Sequence, residues 1–182
     1  MWELVPDDPG PPPEVLVSFV RSLGDAGEAL DLGCGDGRLS AELRARSVVG
    51  ADVSAVALER ARGRVAQVVQ ITPDEPLPFE DGSFDLVLCA ETIEHVRDVQ
   101  LLLSEVRRVL RPGGSLAVTT PAHSRRTALR LALRGWESGF DPLSPHLRFF
   151  TARSLADLLD AIGFDVFSLR TSGGTLLACA RR

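Results

Sequence analysis

The sequence predicts a doubly wound α/β fold, and three observations carry that prediction. Short apolar runs alternate with amphipathic segments of helical period along most of the 182-residue chain. One run, SFDLVLCA, is almost continuously apolar, as a parallel strand buried on both faces must be. Three glycines, Gly33, Gly35 and Gly37, follow the first apolar run, where such a fold turns from strand toward helix.

The elements follow in order. PEVLVSFVRSL places Val15, Leu16, Phe19, Val20 and Leu23 on one helical face. EALDLG is a short buried strand, and a helix is expected to start near Gly37. SVVGADVS is a second strand, ending at Ser54, an N-cap for the helix AVALERARGRV. AQVVQI and SFDLVLCA are the third and fourth strands. VQLLLSEVRRVL is an amphipathic helix stopped by the turn RPGG, and SLAVTTP is the fifth strand. Residues 122–150 break the alternation. SRRTALRLALRGW there reads as a helix with Arg126, Arg130 and Arg134 on one side and Leu129, Leu133 and Trp136 toward the other. TARSLADLLDAIGF is a last helix, capped by Thr151 and ended by Gly163. The tail reads as two strands joined by a tight turn, a terminal hairpin. No internal repeat or linker divides the chain, so 1–182 reads as one domain, with 122–150 as a lid inserted after the fifth strand.

Composition excludes several classes. A net charge of −5 argues against a large basic nucleic-acid surface. No apolar run approaches the roughly 20 residues of a membrane-spanning helix, and the acidic, proline-rich start is unlike a signal peptide; a cytoplasmic location is expected. Cys34, Cys89 and Cys179 are far apart and lack metal-type spacing, so reduced thiols and no metal centre are expected. Every one of the 20 basic residues is arginine, and tyrosine is absent, so no lysine Schiff base, lysine base or tyrosine acid is available.

In a doubly wound sheet, ligands bind at the carboxyl ends of the strands. The glycine stretch lies there, and Asp52 ends the second strand, where a carboxylate meets a ribose in nucleotide sites. Two adenosine cofactor classes fit such a loop. The dinucleotide fingerprint G-x-G-x-x-G would put its third glycine at residue 38, which is Arg38; the third glycine here is Gly37. Together with the missing tyrosine and lysine, this counts against nicotinamide-dependent hydride transfer.

The stretch LDLGCGDGRLS resembles the first motif of class I S-adenosylmethionine-dependent methyltransferases. The resemblance continues through VVGADVS, LPFEDGSFDLVLCAETIEHVRD, LLSEVRRVLRPGGSLAVTTP and HLRFFTARSLADLLDAIGFDV, in order over about residues 28–170. It is to the small-molecule group that includes the ubiquinone and menaquinone biosynthesis methyltransferases. It implies a Rossmann-like sheet of seven mostly parallel strands with an antiparallel last strand. It also implies S-adenosylmethionine as methyl donor and S-adenosylhomocysteine as product. Asp31 and the loop Gly33, Cys34, Gly35 and Gly37 would hold the methionine part. Asp52 would bind the ribose, and Val53 would lie against the adenine. Cys89, Ala90 and Glu91, just past the fourth strand, would line the pocket near the sulfonium. Many relatives carry an acid after the third strand for the adenine amino group; here Ile71, Thr72 and Pro73 stand there, and either Asp74 or a backbone carbonyl would take its place.

The acceptor side rests on fewer residues. His95, in IEHV, is the candidate general base, since it lies near the expected methyl and an imidazole suits proton transfer. His123, His146 and Arg148 are candidate substrate contacts, and Trp136 and Phe140 are expected to cover the site. After the fourth strand, Cys89, Ala90, Glu91 and Thr92 match neither the exocyclic-amine motif nor the cysteine motif of base methylation, which favours a small-molecule acceptor over DNA. Two other readings stay open: a cofactor-binding or partner-binding protein without catalysis, and an oxidoreductase. Oligomeric state is not legible.

Overall fold

The computed structural model describes residues 10–123, 133 and 146–182. The expected helix over SRRTALRLALRGW, its arginines, Trp136 and Phe140 fall almost wholly outside the described residues, as does most of the expected lid at 122–150.

One seven-stranded sheet has the order β3-β2-β1-β4-β5-β7-β6. Its strands are β1 (Asp25–Leu32), β2 (Arg44–Asp52), β3 (Gln67–Gln70), β4 (Phe84–Ala90), β5 (Leu110–Pro121), β6 (Asp165–Ser172) and β7 (Thr175–Arg181). Strands β1 to β5 pair in parallel, while β7 runs antiparallel to both β5 and β6. The chain order reverses between β1 and β4, which makes the topological switch point where ligands bind in this class. The expected doubly wound sheet with an antiparallel last strand is what the chain forms.

Side-chain alternation explains why the central strands read as continuous apolar runs. Leu30, Leu32, Val87, Cys89, Leu116 and Val118 face one core, against α3 (Val99–Val109) and α4 (Ala152–Ala161). Ala29, Leu86, Leu88 and Ala117 face the other, against α1 (Glu14–Arg21). Both faces are dry, so both residue parities must be apolar. On β1 the parity of Ala29 also carries Asp31, a buried acid.

Several local expectations hold. Ser54 caps α2 (Ala55–Ala61) by accepting the Ala57 N–H at 3.3 Å. Thr151 and Ser154 form a capping box at α4, and Gly163 ends that helix at φ 89°. Gly173 and Gly174, at φ 57° and 86°, make the terminal hairpin turn.

Two expectations differ. No α-helix starts near Gly37; the chain makes turns and a single 3-10 turn, Ser40–Glu42, before β2 begins at Arg44. Too few residues lie between Gly37 and Arg44 for a helix of ordinary length. RPGG does not separate α3 from β5 either. Strand pairing jumps from Phe84↔Leu110 to Leu86↔Ser115, so Arg111–Gly114 form an outward bulge within β5.

Candidate functional site

A cavity of about 730 Å³ opens at the carboxyl ends of β1, β2 and β4, a volume suited to a ligand of cofactor size. Its walls come from Leu32 and Gly33, from Asp52–Ser54, from Ile71–Glu75, from Glu91–Thr92 and from His95–Asp98, with Leu101, Leu102 and Leu147 adding apolar surface.

Asp52 is fixed in place by backbone donors. One carboxylate oxygen accepts the Gly35 N–H at 2.9 Å, and the other accepts the Ser54 N–H at 2.8 Å. The side chain is 6% exposed yet lines the cavity, so its remaining lone pairs are open to whatever occupies it. Val53 presents apolar surface beside it.

The glycine loop is built for close approach. Gly33 has φ 79°, and a Cβ there would lie 2.4 Å from the Thr92 hydroxyl oxygen. Thr92 in turn donates to the carbonyls of Leu32 and Ala90, joining the ends of β1 and β4. Gly37, at φ 77°, packs instead on α2, where a Cβ would meet Ala61 at 3.1 Å.

Several expected cofactor residues lie behind the cavity wall rather than on it. Asp31 is 2% exposed and accepts the Ser40 hydroxyl at 2.5 Å, so it braces the loop from beneath. Burial raises its carboxyl to about 7. Cys34 packs on Gly50, Leu58 and Ala61, and Cys89 is wholly buried in the sheet. Burial pushes both thiols far up, which leaves them unreactive. Gly35 contributes through its N–H to Asp52, while Ala90 and Gly37 are not lining residues.

Asp74 and Glu91 do reach the cavity, each from a left-handed backbone, at φ 59° and 49°. Asp74 pairs with Arg97 at 2.5 Å across the rim. Glu91 accepts the Thr119 hydroxyl at 2.9 Å, and burial raises its carboxyl.

On the acceptor side, His95 lines the cavity. His146 stands against it, with ring centroids 4.8 Å apart. Arg148 does not face the cavity; its guanidinium donates to the backbone carbonyls of Val96 and Arg97. His123 sits behind, its N–H on the Phe150 carbonyl at 2.8 Å and its ring 4.7 Å from that of Phe149. Burial lowers the His123 imidazole.

Sequence reasoning passed over Thr92, Arg97, Leu147 and Glu94. Glu94 is 1% exposed, its carbonyl accepts the N–H groups of Leu147 and Arg148, and burial raises its carboxyl to about 7. Its sequence signal is the EH pair that it forms with His95 in IEHV.

Residues 12–169 match the methyltransferase domain family. A Mycolicibacterium smegmatis protein named a probable S-adenosylmethionine-dependent methyltransferase is 37% identical over 145 residues, covering 76% of this chain and 52% of that protein. The human mitochondrial arginine-hydroxylase NDUFAF5 is 32% identical over 152 residues, covering 79% of this chain and 43% of that protein. The chain thus spans about half the length of the curated relatives it matches. A SAM-dependent methyltransferase of Thermotoga maritima superposes with a TM-score of 0.74 at 25% identity, covering 91% of this chain and 87% of that one. With a switch-point cavity beside a glycine loop and a fixed carboxylate, this chain belongs to the methyltransferase domain family, whose methyl donor is S-adenosylmethionine and whose product from it is S-adenosylhomocysteine.

Proposed function

We propose that the chain transfers the methyl group of S-adenosylmethionine to a small-molecule acceptor by in-line displacement at the sulfonium methyl. The observation that carries this reading is Asp52, a carboxylate held by two backbone N–H groups at the rim of an apolar cavity. Its orientation suits a vicinal diol such as a ribose, and Val53 and Leu101 supply apolar surface for an adenine. S-adenosylmethionine, held by Asp52 and the glycine loop, would supply a methyl already activated by its positive sulfur, displaced with the C–S electron pair leaving on sulfur. The protein's part is to align the acceptor and keep water away, which supplies about 7–11 kcal/mol in well-oriented systems.

His95, which lines the cavity, would take the proton that a hydroxyl, amine or acidic carbon acceptor must lose. Asp74 is the side chain available to the adenine edge, and its pairing with Arg97 closes the rim there. Leu147 and the 122–150 segment would select the acceptor. A cavity walled by loops, in a chain of net charge −5, fits a small acceptor better than a nucleic acid.

Calorimetric titration with S-adenosylhomocysteine and with NAD tests the cofactor. Binding of the first and not the second is expected; NAD binding alone would overturn the reading. Mass spectrometry across an acceptor panel then tests transfer. A second reading, cofactor binding without methylation, draws support from the relative named an arginine-hydroxylase. Tight S-adenosylhomocysteine binding with no methylated product from any acceptor would favour it.

A further inference from the structure

Glu94, His95 and His146 converge beside the cavity, which His95 lines. A carboxylate oxygen of the first and one ring nitrogen from each histidine all lie within 4.8 Å of one another. Glu94 and His95 occupy the 3-10 turn Ile93–His95 that follows β4. His146 comes from far along the chain, beyond β5, and its segment is fastened to that turn. The N–H groups of Leu147 and Arg148 donate to the Glu94 carbonyl at 2.7 and 3.2 Å. The Arg148 guanidinium holds the next two carbonyls, those of Val96 and Arg97. The three side chains are therefore brought together by backbone bonds, not by chance rotamers.

Glu94 adds a second observation. One carboxylate oxygen accepts the Thr120 hydroxyl at 3.1 Å, while Oε1 is buried with no hydrogen-bond partner among the described residues. A buried, unpartnered carboxylate oxygen is costly unless a cation or proton meets it. Two imidazoles beside it are donors of the kind that recruit a metal ion.

We propose that Glu94, His95 and His146 bind a divalent first-row transition-metal ion in the cavity wall. A donor set of two nitrogens and one oxygen suits Zn²⁺, Mn²⁺ or Fe²⁺, whereas Ca²⁺ and Mg²⁺ take oxygen shells. Metal–nitrogen bonds of about 2.0–2.1 Å in a tetrahedral site put ligand atoms about 3.3 Å apart. The ligand atoms here lie within 4.8 Å of one another, so the half-buried His95 and His146 would close in by a small side-chain rotation on binding an ion. Thr120 orients the carboxylate from behind, as an outer partner does in such sites. Three protein ligands would leave a position open, and His95, which lines the cavity, would put that position within reach of it. The site depends neither on the identity of the acceptor nor on methyl transfer itself, and a metal-ligating His95 nitrogen would no longer be free to act as the general base.

The test uses the full chain, stripped with a chelator and titrated with ZnCl₂ and CoCl₂. One equivalent of each is expected, with Co²⁺ giving visible bands of four- or five-coordination. His146→Ala, at a half-buried position, should keep the wild-type circular dichroism and weaken Zn²⁺ binding at least about tenfold. Glu94→Gln, nearly isosteric, should do the same. Less than half an equivalent bound to the wild type, or an unchanged Zn²⁺ affinity in His146→Ala, would overturn the proposal. Should Glu94→Gln fail to fold, the His146→Ala titration decides alone.

Discussion

The Asp52 carboxylate accepts the backbone N–H of Gly35 at 2.9 Å, which ties the end of β2 to the middle of the glycine loop. Loop and acid are thus one unit, and neither can move without the other. Asp52→Ala removes the acceptor for both Gly35 and Ser54 as well as the ligand's partner. With hydrogen bonds to a charged group worth about 1.5–3 kcal/mol, S-adenosylhomocysteine should bind about 10- to 100-fold more weakly. Calorimetry on Asp52→Ala and Asp52→Asn checks this, and an affinity equal to wild type would remove Asp52 from the site.

Gly33 and Thr92 make a second coupled pair. Gly33→Ala forces a Cβ to within 2.4 Å of the Thr92 hydroxyl oxygen at a φ of 79°. The backbone alone costs about 1–3 kcal/mol there. For a chain of this size that lowers Tm by several degrees, and the clash adds to it. Thr92→Ala in the same chain should return part of the loss by relieving the clash, while the strained φ remains. Thermal melts of the single and double variants separate the two contributions.

Asp31 makes stability depend on pH in a definite direction. Its carboxyl is raised from 3.8 to about 7 by burial, so the folded chain holds a proton that the unfolded chain releases. The stabilisation is complete below about pH 4 and is lost as pH rises through about 7. Over that window it amounts to about 2–4 kcal/mol. Glu94, raised to about 7 for the same reason, adds a contribution of the same sign. Asp31→Asn keeps an acceptor for Ser40 and removes only the first contribution. Denaturant titrations from pH 4 to 8 should show a shallower decline in the variant.

The parts legible in the sequence were those that depend on near neighbours. The runs around Leu30 and Val87 betray strands because both sheet faces are dry. Ser54, Thr151 and Gly163 mark helix ends by local chemistry. Gly33 and Asp52 stood out because a loop and a strand end carry their meaning within a few residues. What stayed hidden depends on distant register. Ala122 bridges Phe150 in parallel, and this lays residues 146–150 beside the turn after β4. Nothing local to Glu94 or Arg148 announces that neighbour. The turn after Gly37 was misread for a related reason, since the start of β2 is set by its pairing with β1 from Asp25↔Arg44 onward.

Arg148 was expected to meet substrate, yet its guanidinium is spent on the carbonyls of Val96 and Arg97. Those carbonyls follow directly on His95 in the wall of the cavity. Removing the side chain should therefore loosen two segments at once. Arg148→Ala is expected to destabilise the chain by about 1.5–3 kcal/mol, the worth of hydrogen bonds from a charged group. Amide exchange should quicken at Leu147 and Arg148, whose N–H groups depend on the same clamp, and hardly change at Leu30 in the sheet core. Arg148→Lys should recover only part of the loss, because an ammonium lacks the planar fork that spans two neighbouring carbonyls. Faster exchange confined to 146–150 identifies a clamp. Unchanged exchange, together with a weaker affinity for an anionic acceptor, would instead return Arg148 to the substrate.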